Sequence, residues 1–217
     1  IDGRSTRVAD DFEVPVGQAW DISQLTWRMY QVNAPITAQI ERAYVRIWTT
    51  NPLSGGEPIL GDLLTNRHDY THDAGAHRTG PSDTTSCARR IMDVDIEMNW
   101  APVLPAGHYW VEVSLHPDDI RTVFGPPTEP RNGADNGIVM DLAGEQLPSV
   151  DGGSGLPLDF PFLFRGQFVA DPENACVLPD DSCQAATRSE CENTLNGTWS
   201  FSHSCGELGT CCDFASG

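Results

Sequence analysis

The sequence predicts an all-β protein: an antiparallel β-sandwich or jelly roll of about eight strands with a small disulfide-rich C-terminal appendage. Three observations carry this. Segments that alternate apolar and polar residues, rich in aromatic and β-branched side chains, recur along residues 1–170 and have the period of half-buried strands. Gly/Pro turns separate them, and helical periodicity is almost absent. Six of the seven cysteines lie in the last 42 residues.

Taken in order, Arg7 to Phe12 reads as a short edge strand, with Val8, Asp10 and Phe12 alternating against Ala9 and Asp11. Trp20 to Gln31 is a long strand that puts Leu25, Trp27 and Met29 on one face and Thr26, Arg28 and Tyr30 on the other. Glu41 to Thr50 follows, with Ala43, Val45 and Ile47 opposing Tyr44, Arg46 and Trp48, and Asn51 to Gly56 breaks it with turn chemistry. Pro58 to Leu64 is a short strand kinked at Gly61, and Thr65 to Ser86 is a polar loop. From Ala88 to Trp100, Met92, Val94, Ile96 and Met98 alternate with Asp93, Asp95, Glu97 and Asn99.

Leu104 to Leu115 is the clearest strand. Pro105 and Gly107 supply its turn, and the same Pro-x-Gly-x-x-Trp device opens the strand at Pro15 to Trp20. His116 to Asp135 is a loop, Gly137 to Leu142 a weak strand, Asp151 to Gly155 a turn, and Pro161 to Val169 the last strand of the body. The domain reading is a sandwich body over 1–170 and a Cys-rich tail over 171–217.

The formal net charge is -18, and all 13 basic residues are Arg. So acidic a surface repels phosphate backbones and anionic lipid, which excludes nucleic-acid binding, and no apolar run is long enough to span a bilayer. Such acidity serves first to keep an extracellular protein soluble; the partners it would otherwise favour are divalent cations such as Ca²⁺ and copies of itself bridged by cations. A first residue Ile1 in place of Met fits a removed export signal, and the cysteine density fits an oxidising, extracellular compartment.

Cys176, Cys183, Cys191, Cys205, Cys211 and Cys212 are expected to form disulfides; a segment this short buries too little apolar surface to fold without cross-links. No C-x-x-C pair supports a zinc site. Cys87, the odd cysteine, is expected to bond into the tail. His68, His72 and His77 with Asp69 and Asp73 could bind Zn or Cu, but a solvated polar loop explains them as well. Asp93, Asp95 and Glu97 share a strand face and read as its solvent side. Weak calcium ligands are Asp10, Asp11, Asp118, Asp119, Asp135 and Asp151, in turns that also offer carbonyl oxygens. Tyr44 with Trp48, or His108 with Trp110, could form a glycan platform if exposed, though Trp on a sandwich strand usually packs in the core. No nucleophile elbow, P-loop or dinucleotide fingerprint occurs.

The run RVADDFEVPVGQAWDISQLTWRMYQ, with ERAYVRIWTTNP, GDLLTNR, LPAGHYWVEVSL and VDGGSGLPLDFPFLFRG, resembles a family of exported bacterial β-sandwich modules with no assigned activity. The resemblance covers residues 7–169 and implies the sandwich fold but no catalytic or binding residues. The stretch between Asn66 and Ser86 departs from the alternating strand implied there. The tail is similar to a bacterial Cys-rich module with the pattern C-x-L-P-D-G-S-C … E-C … G-G-T-W; Asp181 and Asn196 stand where that pattern has Gly.

The functional expectation is a non-enzymatic extracellular structural or assembly protein, a surface, matrix or filament subunit. Arg7, Val8, Ala9, Asp10, Asp11 and Phe12 would be donated to a neighbour's sheet edge. A carbohydrate-binding or adhesion module is the second reading and a secreted hydrolase the third.

Overall fold

The computed structural model describes residues 7–33, 40–78, 87–117, 123–126, 137–141, 143, 145–147, 158–201 and 203–206. In chain order the elements are β1 (Arg7–Val14), β2 (Ala19–Tyr30), β3 (Ile40–Trp48), β4 (Leu60–Asp62), β5 (His68–His77), β6 (Arg90–Glu97), β7 (Gly107–Pro117), β8 (Ile138–Met140), β9 (Gln146–Leu147), β10 (Phe162–Val169), β11 (Asn174–Val177), β12 (Cys183–Ala186), α1 (Arg188–Asn193) and β13 (Thr198–Trp199). They form a six-stranded sheet, β4-β3-β7-β1-β8-β9, a four-stranded sheet, β10-β2-β6-β5, and a three-stranded sheet, β12-β11-β13. The all-β antiparallel fold is as predicted.

The chain divides into two compact units. One comprises Ile1–Phe12, Ile22–Ala101 and His108–Arg165; the other comprises Glu13–Asp21, Pro102–Gly107 and Gly166–Gly217. The expected boundary at 170/171 falls inside the second unit, which also takes in the two Pro-x-Gly turns. There Trp20 pairs with Leu104 across a β-bridge, its N–H donating to the Leu104 carbonyl at 2.8 Å, so the two copies of the turn lie side by side.

In the first unit the alternation read from sequence decides which side chains are inside. Leu25, Trp27 and Met29 of β2, Val94 and Ile96 of β6, and Val111 and Val113 of β7 are buried between the two larger sheets. Each contributes about 1.5–3 kcal/mol by leaving water. Trp27 stacks on Phe162 with centroids 5.6 Å apart, and Phe12 packs against Tyr109 and Phe164. The cavity lined by Val8, Trp27, Met29, Val113 and Leu115 is only about 10 Å³, room for no more than one water. The kink at Gly61 is real: φ is +80°, and a Cβ there would lie 2.1 Å from the Val45 carbonyl oxygen, which only Gly avoids.

Two sequence expectations are corrected. Residues 68–77 are a strand, β5, not a loop. Their His, Asp, Gly and Ala content has weak β propensity, but β5 pairs with β6 through two register shifts, between His68 and Tyr70 and between Asp73 and Ala76. Arg7 to Phe12 is not at an edge: β1 lies between β7 and β8, with Arg7 opposite Met140 and Ala9 opposite Ile138. Alternation identifies a strand and its buried face but carries nothing about its rank in the sheet.

In the second unit β11 pairs with β12 and β13, and α1 follows an N-cap at Thr187, whose hydroxyl accepts the Glu190 N–H at 3.3 Å. Asp181 and Asn196, where the resembled pattern has Gly, adopt φ of 63° and 51°. Asp and Asn are the residues that tolerate this left-handed geometry best after Gly, so the turns survive the replacements. Gly197 is irreplaceable for another reason: a Cβ would meet Cys176 Sγ at 2.5 Å.

Candidate functional site

The most concentrated polar chemistry among the described residues is a buried knot across β1, β7 and β3. Arg46 lies directly opposite Glu112 in the β3–β7 register, and Trp48 opposite Trp110. Glu112 is 0 % exposed. Its Oε1 accepts Arg7 Nε at 2.5 Å and Arg46 Nη2 at 2.7 Å; its Oε2 accepts Arg46 Nε at 3.1 Å and Trp48 Nε1 at 3.0 Å. The Arg46 guanidinium also lies 4.7 Å from the Trp48 ring centroid, a cation–π contact. With both oxygens saturated by donors, this carboxylate is an anchor that fixes three strands in one register, not an available base.

The glycan-platform expectation is corrected at the same place. Tyr44, Trp48 and Trp110 are buried, and Trp48 and Trp110 form a core cluster with Ala9, Ile138 and Met140. Leu53 packs against that cluster. His108 is half-exposed and its Nε2 lies 2.9 Å from Asp11 Oδ2, with Trp110 edge-on to its ring.

Asp10 and Asp11, expected as weak calcium ligands, are held in separate hydrogen bonds, Asp11 Oδ2 with His108 Nε2. Asp10 is 4 % exposed; its Oδ1 accepts the Asp11 N–H at 2.9 Å and its Oδ2 accepts the Phe160 N–H at 2.6 Å. Burial pushes the Asp10 carboxyl from 3.8 up to about 7, against the two backbone N–H groups, which act in the opposite sense. Between about pH 4 and 7 the unfolded chain ionises Asp10 while the native state keeps its proton, so stability falls as pH rises through that window and levels off above it. The expected slope is at most about 1.4 kcal/mol per pH unit. Urea midpoints of Asp10→Asn measured from pH 4 to 8 should lose that slope; a slope identical to the parent's contradicts the assignment.

On the outer face of the four-stranded sheet, Asp95 accepts Thr26 Oγ1 at 2.6 Å and Asp93 accepts Arg28 Nε at 3.2 Å. The His72 ring sits 3.8 Å from both carboxylates, with Tyr70 stacked on it at 5.9 Å. His68 instead contacts Thr71 Oγ1 at 2.8 Å, and its imidazole is held below its ordinary value by burial. Asp73 accepts Gly75 N–H and pairs with Arg90, which together hold its carboxyl low. Spread along an extended strand, His68, His72 and His77 do not converge. Among the described residues no group of three or more His, Cys, Asp or Glu is placed to hold a metal ion. Asp118, Asp119, Asp135 and Asp151 lie outside the described residues.

Among the described residues two disulfides join the tail, Cys176–Cys191 and Cys183–Cys205. Such bridges point to an oxidising, non-cytoplasmic environment. Cys87 is exposed and belongs to neither bridge; Cys211 and Cys212 lie outside the described residues. No helix among the described residues is long and apolar enough to cross a membrane.

Comparison with protein-family models, curated proteins and solved structures finds no match.

The group that sequence reading missed is the Glu112 knot. Its signal was present: Arg46 and Glu112 sit among Tyr44, Trp48, Trp110 and Ser114 on faces that alternation assigns away from the main core. Large aromatics on that second face are the cue that it too is covered.

Proposed function

We propose that this chain is a non-enzymatic extracellular structural protein that assembles with copies of itself. The observation that carries the reading is the saturated Arg7–Glu112–Arg46–Trp48 knot: the strongest polar groups are spent on locking strands together within the fold. The tail bridges Cys176–Cys191 and Cys183–Cys205 fit the same role. The N-terminal segment is not the donated strand, because β1 is already paired on both sides.

A net charge of -18 opposes association, so Ca²⁺ is expected to promote it by screening and bridging surface carboxylates. Sedimentation velocity of the full chain from micromolar to millimolar concentration, with and without Ca²⁺, should show species larger than the monomer, enriched by the ion. A monomer under every condition sinks the proposal.

Glycan binding is the second reading, relocated from the buried Trp residues to Tyr70, which is 58 % exposed and stacks on His72, whose ring lies 3.8 Å from Asp93. Retardation in gels containing neutral polysaccharide, lost in Tyr70→Ala, would favour it.

A further inference from the structure

The four ends of the two larger sheets are not treated alike. β4 is three residues long and β9 two. β5 is longer, but it is broken by two register shifts and carries Asp69, Asp73 and three His. Short length, bulges and charge are the devices by which proteins keep sheet edges from pairing with other chains. β10 is neither short nor rich in charge. It is eight residues, Phe162-Leu163-Phe164-Arg165-Gly166-Gln167-Phe168-Val169, and no described strand pairs its outer side. Leu163 is 52 % and Phe168 75 % exposed. Arg165 is its one charge, and no acidic residue occurs between Asp159 and Asp171, in a chain with 31 of them. Two copies meeting along this strand set none of its residues as carboxylate against carboxylate.

We propose that β10 is the assembly edge, and that its occupant is β10 of a second copy, paired antiparallel about a two-fold axis at Gly166; this rests on the self-assembly reading above. The sequence of β10 selects that register. A two-fold axis normal to the sheet keeps each side chain on its own face, so only axes passing through a residue are allowed. With the axis at Gly166, Phe164 faces Phe168 of the second copy, Leu163 faces Val169, and Arg165 faces Gln167. Aromatic meets aromatic, aliphatic meets aliphatic, and a cation meets an amide. Moving the axis to Arg165 sets Arg165 against itself and Leu163 against Gln167, which joins like charges and buries an amide against an alkyl chain. In the favoured register the two four-stranded sheets become one of eight strands.

A charge swap tests both the edge and the register. Arg165 and Gln167 are exposed, and Arg165 Nη1 donates to Gln24 Oε1 at 2.7 Å on the surface, so neither substitution reaches the core. Gln167→Arg places two Arg–Arg pairs across the axis and is expected to weaken association about tenfold by sedimentation equilibrium. Arg165→Glu added to Gln167→Arg converts both into Glu–Arg pairs and is expected to restore or exceed the parent's association. If the parent associates and the two variants associate equally well, β10 is not the edge, and self-assembly stands through another surface. If the single variant weakens association and the double variant does not restore it, the Gly166 register is wrong. If the parent never associates, the self-assembly reading and this one fall together.

Discussion

Glu112→Gln is expected to destabilise the body by about 3–5 kcal/mol, the largest effect of any single polar substitution in this fold. The substitution keeps the size and shape of the side chain but removes its charge. Arg7 and Arg46 then face each other across a neutral amide, with side chains only 11 % and 15 % exposed. The amide also offers one acceptor oxygen where the carboxylate offers two, so donors among Arg7, Arg46 and Trp48 are left unmet. A urea midpoint lowered by well over 1 M, at unchanged m, is the expected reading. The complementary variant removes all three charges together: Arg7→Met, Arg46→Met, Glu112→Leu. It is expected to lose much less than Glu112→Gln, because no uncompensated charge is left behind. If Glu112→Gln costs under 1 kcal/mol, the knot does not hold the strands as described.

The contrast between that knot and the strands around it shows what a sequence can and cannot reveal here. The period-two pattern in Trp20–Gln31, Ala88–Trp100 and Leu104–Leu115 identified β2, β6 and β7 and their core faces, because burial on one side of a sheet is written into every second residue. What this pattern could not convey is which strands are neighbours. Arg7 and Glu112 are 105 positions apart, and only the placement of β1 beside β7 brings them together. The same blindness placed Arg7 to Phe12 at an edge, when β8 covers its other side. β5 was illegible for a different reason: its register shifts interrupt the alternation, so a strand stabilised by pairing with β6 had no local signature. The helix α1 was overlooked although Thr187 and Glu190 stand at capping-box spacing, because six residues are too few to display an apolar stripe. Of the expected sites, the cysteine tail was the most legible, since cross-links in a short, core-poor segment follow from composition.

Removing the buried bridge of that tail, by Cys176→Ala with Cys191→Ala, is expected to unfold the three-stranded sheet outright. The bridge closes a separation of 15 residues, and constraining a loop of that length contributes about 3 kcal/mol by limiting the unfolded chain. Packing adds to this. Cys176 and Cys191 are fully buried with Ala186, and Leu178, Leu195 and Trp199 pack around them, so the sulfur atoms are themselves the centre of the small core. Gly197 approaches that bridge more closely than any Cβ could, which shows how tightly the turn before β13 is built on it. The bridge Cys183–Cys205 spans 22 residues but joins partly exposed positions, so Cys183→Ala with Cys205→Ala removes the chain constraint without emptying a core and should cost less. Native-state hydrogen exchange separates the cases. Amides of β11 and β13 should lose protection in the Cys176/Cys191 variant while those of β2 and β6 retain it, and the Cys183/Cys205 variant should leave β11 partly protected. Equal loss in both variants would mean that closure of the chain alone, and not the sulfur-centred core, holds the tail together.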